Sequence, residues 1–181
     1  MSVERYNRLA ADFLGTAEAV PPERWSAASP CAGWTALDVV DHVVQSHLMQ
    51  LSFLDRQPDQ VAPVREQPIA ALRRVSSAVA AQLADPDQAE QMIVGVGGET
   101  TFAESIDMFL SFDLLIHRWD LAQPAGLEAV LDPADIRWAW SVAEGFGEFL
   151  RAEGVCGPAL SPPTGADEQA ALLAHLGRRV R

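Results

Sequence analysis

The chain has 181 residues and carries 25 acidic against 13 basic side chains, a formal net charge of −12. That balance excludes the basic face that nucleic acid or an anionic membrane surface requires, and a hydrophobic content of 49% excludes a disordered chain. All 13 basic residues are Arg, so Schiff-base chemistry on Lys and a phosphate-binding P-loop Lys are excluded as well.

The length predicts a single domain over residues 1–181, able to bury about 70% of the surface its unfolded chain exposes. Cys31 and Cys156 are too few for a disulfide framework or a CxxC zinc site, and they suit a reducing compartment. The opening MSVERYNRLAADFL carries charges where a signal peptide needs an apolar run. No apolar stretch approaches the roughly 20 residues of a membrane span. The expectation is a cytoplasmic protein with no membrane partner.

The first helix is predicted over Val3 to Ala19, with Tyr6, Leu9, Ala10, Phe13 and Ala17 as its apolar stripe, and Pro21-Pro22 ends it. The second starts at Thr35, an N-cap with Asp38 at N3, and runs to about Arg56. Leu37, Val40, Val44, Leu48 and Leu51 form its main stripe, and Val39, Met49 and Phe53 a second side. The third covers Ile69 to Ala84, with Ile69, Leu72, Val75, Val79 and Leu83 as its stripe. The pattern then breaks over 85–101, where MIVGVGGET reads as a small hairpin or an ordered loop.

A fourth helix is predicted over Phe102 to Gln123, stopped by Pro124. A fifth begins at the Asp132 N-cap with Pro133 at N1 and carries Ile136, Trp140, Ala143, Phe146 and Leu150. GPALSPPTG is extended, and a short helix from Asp167 to about Gly177 closes the chain. The expected fold is all-α: an up-and-down four-helix bundle with an extra C-terminal helix and a short irregular or β-like segment near 92–101. Apolar helix faces left uncovered would permit a homodimer.

The chemistry centres on four histidines, His42, His47, His117 and His175. Asp113 lies four residues before His117, so both side chains project from one side of the fourth helix, among Ile106, Leu110, Leu114 and Leu121. A carboxylate and an imidazole on an apolar stripe are costly to bury unpaired. Either they satisfy each other or they hold a metal ion, for which bundle interiors are a usual setting. A third ligand would come from another helix, and His42 is best placed, because His47 lies about 140° further around the second helix. Asp120, one turn beyond His117, is either a carboxylate that orients a metal-bound imidazole or a surface acid.

The remaining residues take simpler readings. His175 is expected to be exposed. The five tryptophans (Trp25, Trp34, Trp119, Trp138 and Trp140) read as core or pocket walls. Cys31 has no histidine beside it in sequence and is not favoured as a nucleophile.

Three stretches then carry a resemblance. SPCAGWTALDVVDHVVQSH resembles the C-x-G-W-T-x-x-D-x-x-x-H opening of the N-terminal domain of mycothiol-dependent maleylpyruvate isomerases. DLLIHRWDLAQPAG resembles a second segment of the same group, and GPALSPPTGADEQAALLAHLGR resembles the tail of its short actinobacterial branch. The group belongs to the DinB-like four-helix-bundle metalloproteins. The resemblance implies a divalent metal, zinc first with nickel and iron as alternatives, held by His42, Asp113 and His117. It also implies a low-molecular-weight thiol such as mycothiol as cosubstrate.

Two departures limit what is carried over. The isomerase has Glu at the position of Asp113, and it has a second domain for which this chain has no room. Maleylpyruvate itself is therefore not carried over as substrate. The reading is a thiol-dependent isomerase or S-transferase acting on a small electrophile, in which three protein ligands leave one metal position open for the thiol. Arg118 is the arginine nearest in sequence for an anionic group. The alternative is a non-catalytic metal- or small-molecule-binding module. An Fe(II) oxygenase with two His and one carboxylate, and a bundle holding only a buried ion pair, are the further readings.

Overall fold

A computed structural model describes residues 2–95, 97–152 and 155–180. The chain divides into two compact units, Met1–Leu127 and Glu128–Arg181. The first is built on three long helices, α1 (Ser2–Glu18), α2 (Ala36–Ser52) and α3 (Pro68–Ala84), followed by a single turn, α4 (Pro86–Ala89). An antiparallel hairpin follows, β1 (Met92–Gly95) and β2 (Gly98–Thr101), paired from Met92 with Thr101 to Gly95 with Gly98. This is the β-like segment expected near 92–101; Val96, inside it, lies outside the described residues. The fourth long element runs as α5 (Phe102–Ser105), a π-helical segment Ile106–Ser111 and α6 (Phe112–Ala125).

The expected all-α four-helix bundle is what the first unit forms. Both α1 and α2 border α3 and α6, so α1 and α2 stand at opposite corners. Of the predicted stripe of α1, Tyr6, Leu9, Phe13 and Ala17 are shut from solvent and Ala10, at its margin, is half-buried. Each large apolar side chain among them contributes about 1.5–3 kcal/mol by leaving water. They meet Leu72, Val75 and Val79 of α3 and Leu110, Leu114 and Leu121 of the fourth element in the same core.

Three boundaries differ from expectation, each for a local reason. α2 stops at Ser52, not Arg56. Arg56 N–H reaches Leu51 C=O and Asp55 N–H reaches Ser52 C=O, the bond pair that closes a helix, with Asp55 in the left-handed region at φ 54°. Pro124 does not end α6 but sits in its last turn, where its missing N–H costs a single helical bond. The helix ends instead on Gly126 at φ 70°, where Leu127 N–H bonds Ala122 C=O. The fourth element also passes through the π segment instead of running as one regular helix. Within α2 the inward face is Val39, Val40, Val43, Val44, His47 and Leu51, whereas Met49 of the expected second side is exposed.

The second unit holds α7 (Pro133–Phe146), a 3-10 turn Gly147–Arg151 and α8 (Glu168–His175). Leu150, expected on the helix, lies in the 3-10 turn because Gly147 breaks away at φ 51°. The Gln169 side chain donates to Ala129 C=O and accepts from Leu131 N–H, which ties α8 to the segment before α7. His175 is not exposed as expected: it packs on Trp140 with ring centres 4.8 Å apart and sits beside Arg151. No helix among the described residues is long and apolar enough to cross a membrane.

Candidate metal centre

Two helices and one loop converge on the site. On α2 the polar residues His42, Ser46 and Gln50 recur every four positions and so share one face. The Thr35–Asp38 capping box fixes where α2 starts: Asp38 N–H bonds Thr35 Oγ1, and Asp38 Oδ2 takes the Thr35 N–H at 2.9 Å. Facing α2, α6 presents Asp113, His117 and Asp120.

The loop before α2 supplies Cys31 and Trp34. Trp34 N–H closes a turn on Cys31 C=O at 3.0 Å, Ser29 N–H holds Trp34 C=O at 2.8 Å, and Gly33 takes φ 80° at the third turn position. A left-handed backbone there favours glycine, so the C-x-G-W spacing has a direct geometric reason.

His42 Nε2–H donates to Asp113 Oδ2 at 2.9 Å, and Ser46 Oγ–H donates to the same oxygen at 3.1 Å. His117 Nε2 stands 3.6 Å from Asp113 Oδ1. The ligand atoms of His42, Asp113 and His117 all lie within 4.8 Å of one another. The structure thus brings together the three residues that the family motif pointed to. Burial opposes the charge on Asp113. The His42 hydrogen bond, the charges of His117 and His42, and the Ser46 hydroxyl outweigh it and hold the carboxyl down to about 2. A carboxylate ionised at all ordinary pH is what a cation site needs.

On its other side His117 donates Nδ1–H to Asp120 Oδ2 at 2.9 Å. Asp120 is fully buried, so of its two sequence readings the surface acid is removed. With the Nδ1–H committed to Asp120, Nε2 is the nitrogen that faces Asp113. A proton or a cation lying between Nε2 and the carboxylate satisfies both. The donor set, two imidazoles and one carboxylate, fits a divalent ion of the zinc class.

Sequence reasoning missed Cys31 and Ser46 as contributors, whereas Trp34 is the pocket wall it was read as. Cys31 Sγ–H donates to Asp120 Oδ2 at 3.2 Å and lies 3.9 Å from His117 Nδ1. Trp34 packs on both imidazoles, with ring centres 5.0 Å from His42 and 5.8 Å from His117. Ser46 shares the face of His42, a periodicity that would have flagged it. His47, set aside as a ligand, is wholly buried: its Nδ1–H donates to Val43 C=O at 2.7 Å and its Nε2 accepts from the Tyr6 hydroxyl at 3.0 Å. Arg118 does not face the site; it reaches Thr16 and Asp12 on α1.

Residues 6–122 match the family model of the mycothiol maleylpyruvate isomerase N-terminal domain. The chain belongs to this family. Every residue of the centre lies inside the matched span. Two Mycobacterium tuberculosis proteins, Uncharacterized protein MT0763 of strain CDC 1551 / Oshkosh and Uncharacterized protein Rv0738 of strain H37Rv, are each 32% identical to it over 170 residues, covering 84% of either chain. No solved structure matches the chain significantly.

Proposed function

We propose that this member of the mycothiol maleylpyruvate isomerase N-terminal domain family binds one divalent cation, zinc in the first instance, through His42, Asp113 and His117. We further propose that it uses a low-molecular-weight thiol of the mycothiol type to act on a small electrophile in the cytoplasm. The observation that carries the reading is the convergence of two imidazole nitrogens and an ionised carboxylate within 4.8 Å, on helices the bundle core holds fixed.

The chain's own residues divide the work. His42 and His117 present nitrogen donors from two neighbouring helices, α2 and α6. Asp113 supplies the negative charge, and Ser46 fixes the orientation of its carboxylate. Asp120 holds the Nδ1 proton of His117, which keeps Nε2 as the donor. Trp34 walls the two imidazoles on one side. When bound, the ion supplies Lewis acidity, which favours the thiolate of a thiol presented to it.

The first test is elemental analysis of protein purified without an affinity metal, beside His42→Ala and His117→Ala. About one equivalent of zinc in the parent and little in the folded variants is expected. No metal in any sample, with none taken up on titration, would mean that the three side chains only satisfy one another. A conjugation assay with several thiols and a panel of electrophiles tests turnover. Metal binding without turnover would leave a metal-binding module of this family.

A further inference from the structure

His117 has two ring nitrogens, and each faces its own set of ligand-type atoms. Nε2 faces Asp113 and His42. Nδ1 faces Asp120 Oδ2 at 2.9 Å and Cys31 Sγ at 3.9 Å, and those two atoms are 3.2 Å apart. Bonds of about 2.0–2.3 Å from a tetrahedral zinc-class ion to N, O and S place the donor atoms roughly 3.3–3.7 Å from one another. The observed triangle therefore needs shifts of only a few tenths of an ångström to close on such an ion.

Burial strengthens the case. Asp120 is wholly buried and His117 almost so, which sets this group apart from the exposed acidic clusters common on protein surfaces. The loop carrying Cys31 is pinned by the backbone bonds of Ser29 and Trp34, so the sulfur is held in place.

We propose that Cys31, Asp120 and His117 Nδ1 form a second cation site, selective for thiophilic divalent ions, that competes with the His42 centre for His117. The site stands on its own three residues; only the competition rests on the His42 reading. The sulfur gives the selectivity, because a thiolate favours soft and borderline ions over hard ones. The chemistry balances simply. The Cys31 thiol gives up its proton to solvent on forming the sulfur–metal bond. The His117 proton leaves Nδ1, and the ring carries a proton at Nε2 instead, where Asp113 Oδ1 accepts it. An imidazole protonated at Nε2 cannot ligate the first centre, so occupancy of one site opposes occupancy of the other.

Cadmium is the probe, since its bond to a thiolate gives an ultraviolet charge-transfer band. The full-length chain, stripped with chelator, is titrated with Cd2+ alone. The expected result is a band that saturates near one equivalent. It is retained in Cys156→Ser and in His42→Ala, and lost in Cys31→Ser and Cys31→Ala, with circular dichroism confirming that the variants fold. Zinc loaded beforehand is expected to weaken cadmium binding at Cys31 by about tenfold or more. No band in the parent, or an undiminished band in Cys31→Ser, would overturn the site. Loss of the band in His42→Ala would overturn it too, by making Cys31 a ligand of the first centre. A band indifferent to zinc would overturn the competition. The zinc content of Cys31→Ser reads the His42 centre separately and is expected to match the parent, so the two readings fail independently.

Discussion

His117 and Asp120 face each other across one turn of α6, Nδ1 to Oδ2 at 2.9 Å, with the carboxylate wholly buried. That contact decides the tautomer of the imidazole and therefore which nitrogen faces Asp113. Asp120→Asn keeps the shape but removes the charge and offers an amide in place of an acceptor-only group. Zinc affinity, measured by competition with a chromophoric chelator, is expected to fall about 10- to 100-fold while helix content stays unchanged. Affinity equal to the parent would show that Asp120 does not position His117.

The start of α2 sets the height of His42 above Asp113. Thr35→Ala removes the side-chain half of the capping box, and urea denaturation is expected to show a loss of about 1 kcal/mol. A loss below about 0.3 kcal/mol would mean that the Asp38 carboxylate alone holds the end of the helix.

Tyr6 and His47 link opposite corners of the bundle. Tyr6→Phe keeps the ring packing but strips His47 Nε2 of its donor in a site with no access to water. A cost of about 1–3 kcal/mol is expected in the unfolding free energy. A neutral substitution would show that the bond contributes no net stability.

Acid should weaken the fold from a higher pH than carboxylates alone would dictate. Burial drives the His47 pKa down from 6.5 to about 4, against smaller opposing effects of the Val43 carbonyl and the Asp113 charge. Between those values the unfolded chain binds a proton that the folded chain refuses. This contribution is whole above about pH 6.5, falls as pH drops and is exhausted near pH 4, a total of about 3 kcal/mol. Asp113, with its carboxyl held down to about 2, adds a further loss from its ordinary 3.8 downward. Urea midpoints measured from pH 7 to pH 4.5 should decline through this range in the parent and stay flatter in His47→Gln. Parallel declines would assign the effect elsewhere.

The helices were legible because their apolar spacing is strong: Tyr6, Leu9, Phe13 and Ala17 could lie on one buried face only if α1 formed. Asp113 and His117 were legible for the same reason, since four residues apart on a helix means one side. Cys31 was not, because it sits in a turn whose path no periodicity encodes and whose neighbours come from 86 and 89 residues away. The wheel of α2 turned His47 away from the site, as the structure has it, but could not name its partner, because Tyr6 comes from another helix. The end of α6 was misplaced because Pro124 is costly only where its N–H is needed, and the last turn needs little.

The π segment Ile106–Ser111 also escaped the sequence, and it has a consequence for how the two ends of the helix are aligned. A π turn takes up one residue more than an α turn while advancing by nearly the same angle. If residues 106–111 wound instead as an ordinary α-helix with none removed, Asp113, His117 and Asp120 would swing about 100° relative to Phe102 and Ser105. The apolar residues beside them would swing as well, so the site and the core would be lost together. The irregular turn thus works as a phase buffer: it absorbs an extra residue and leaves both halves of the helix facing the same core.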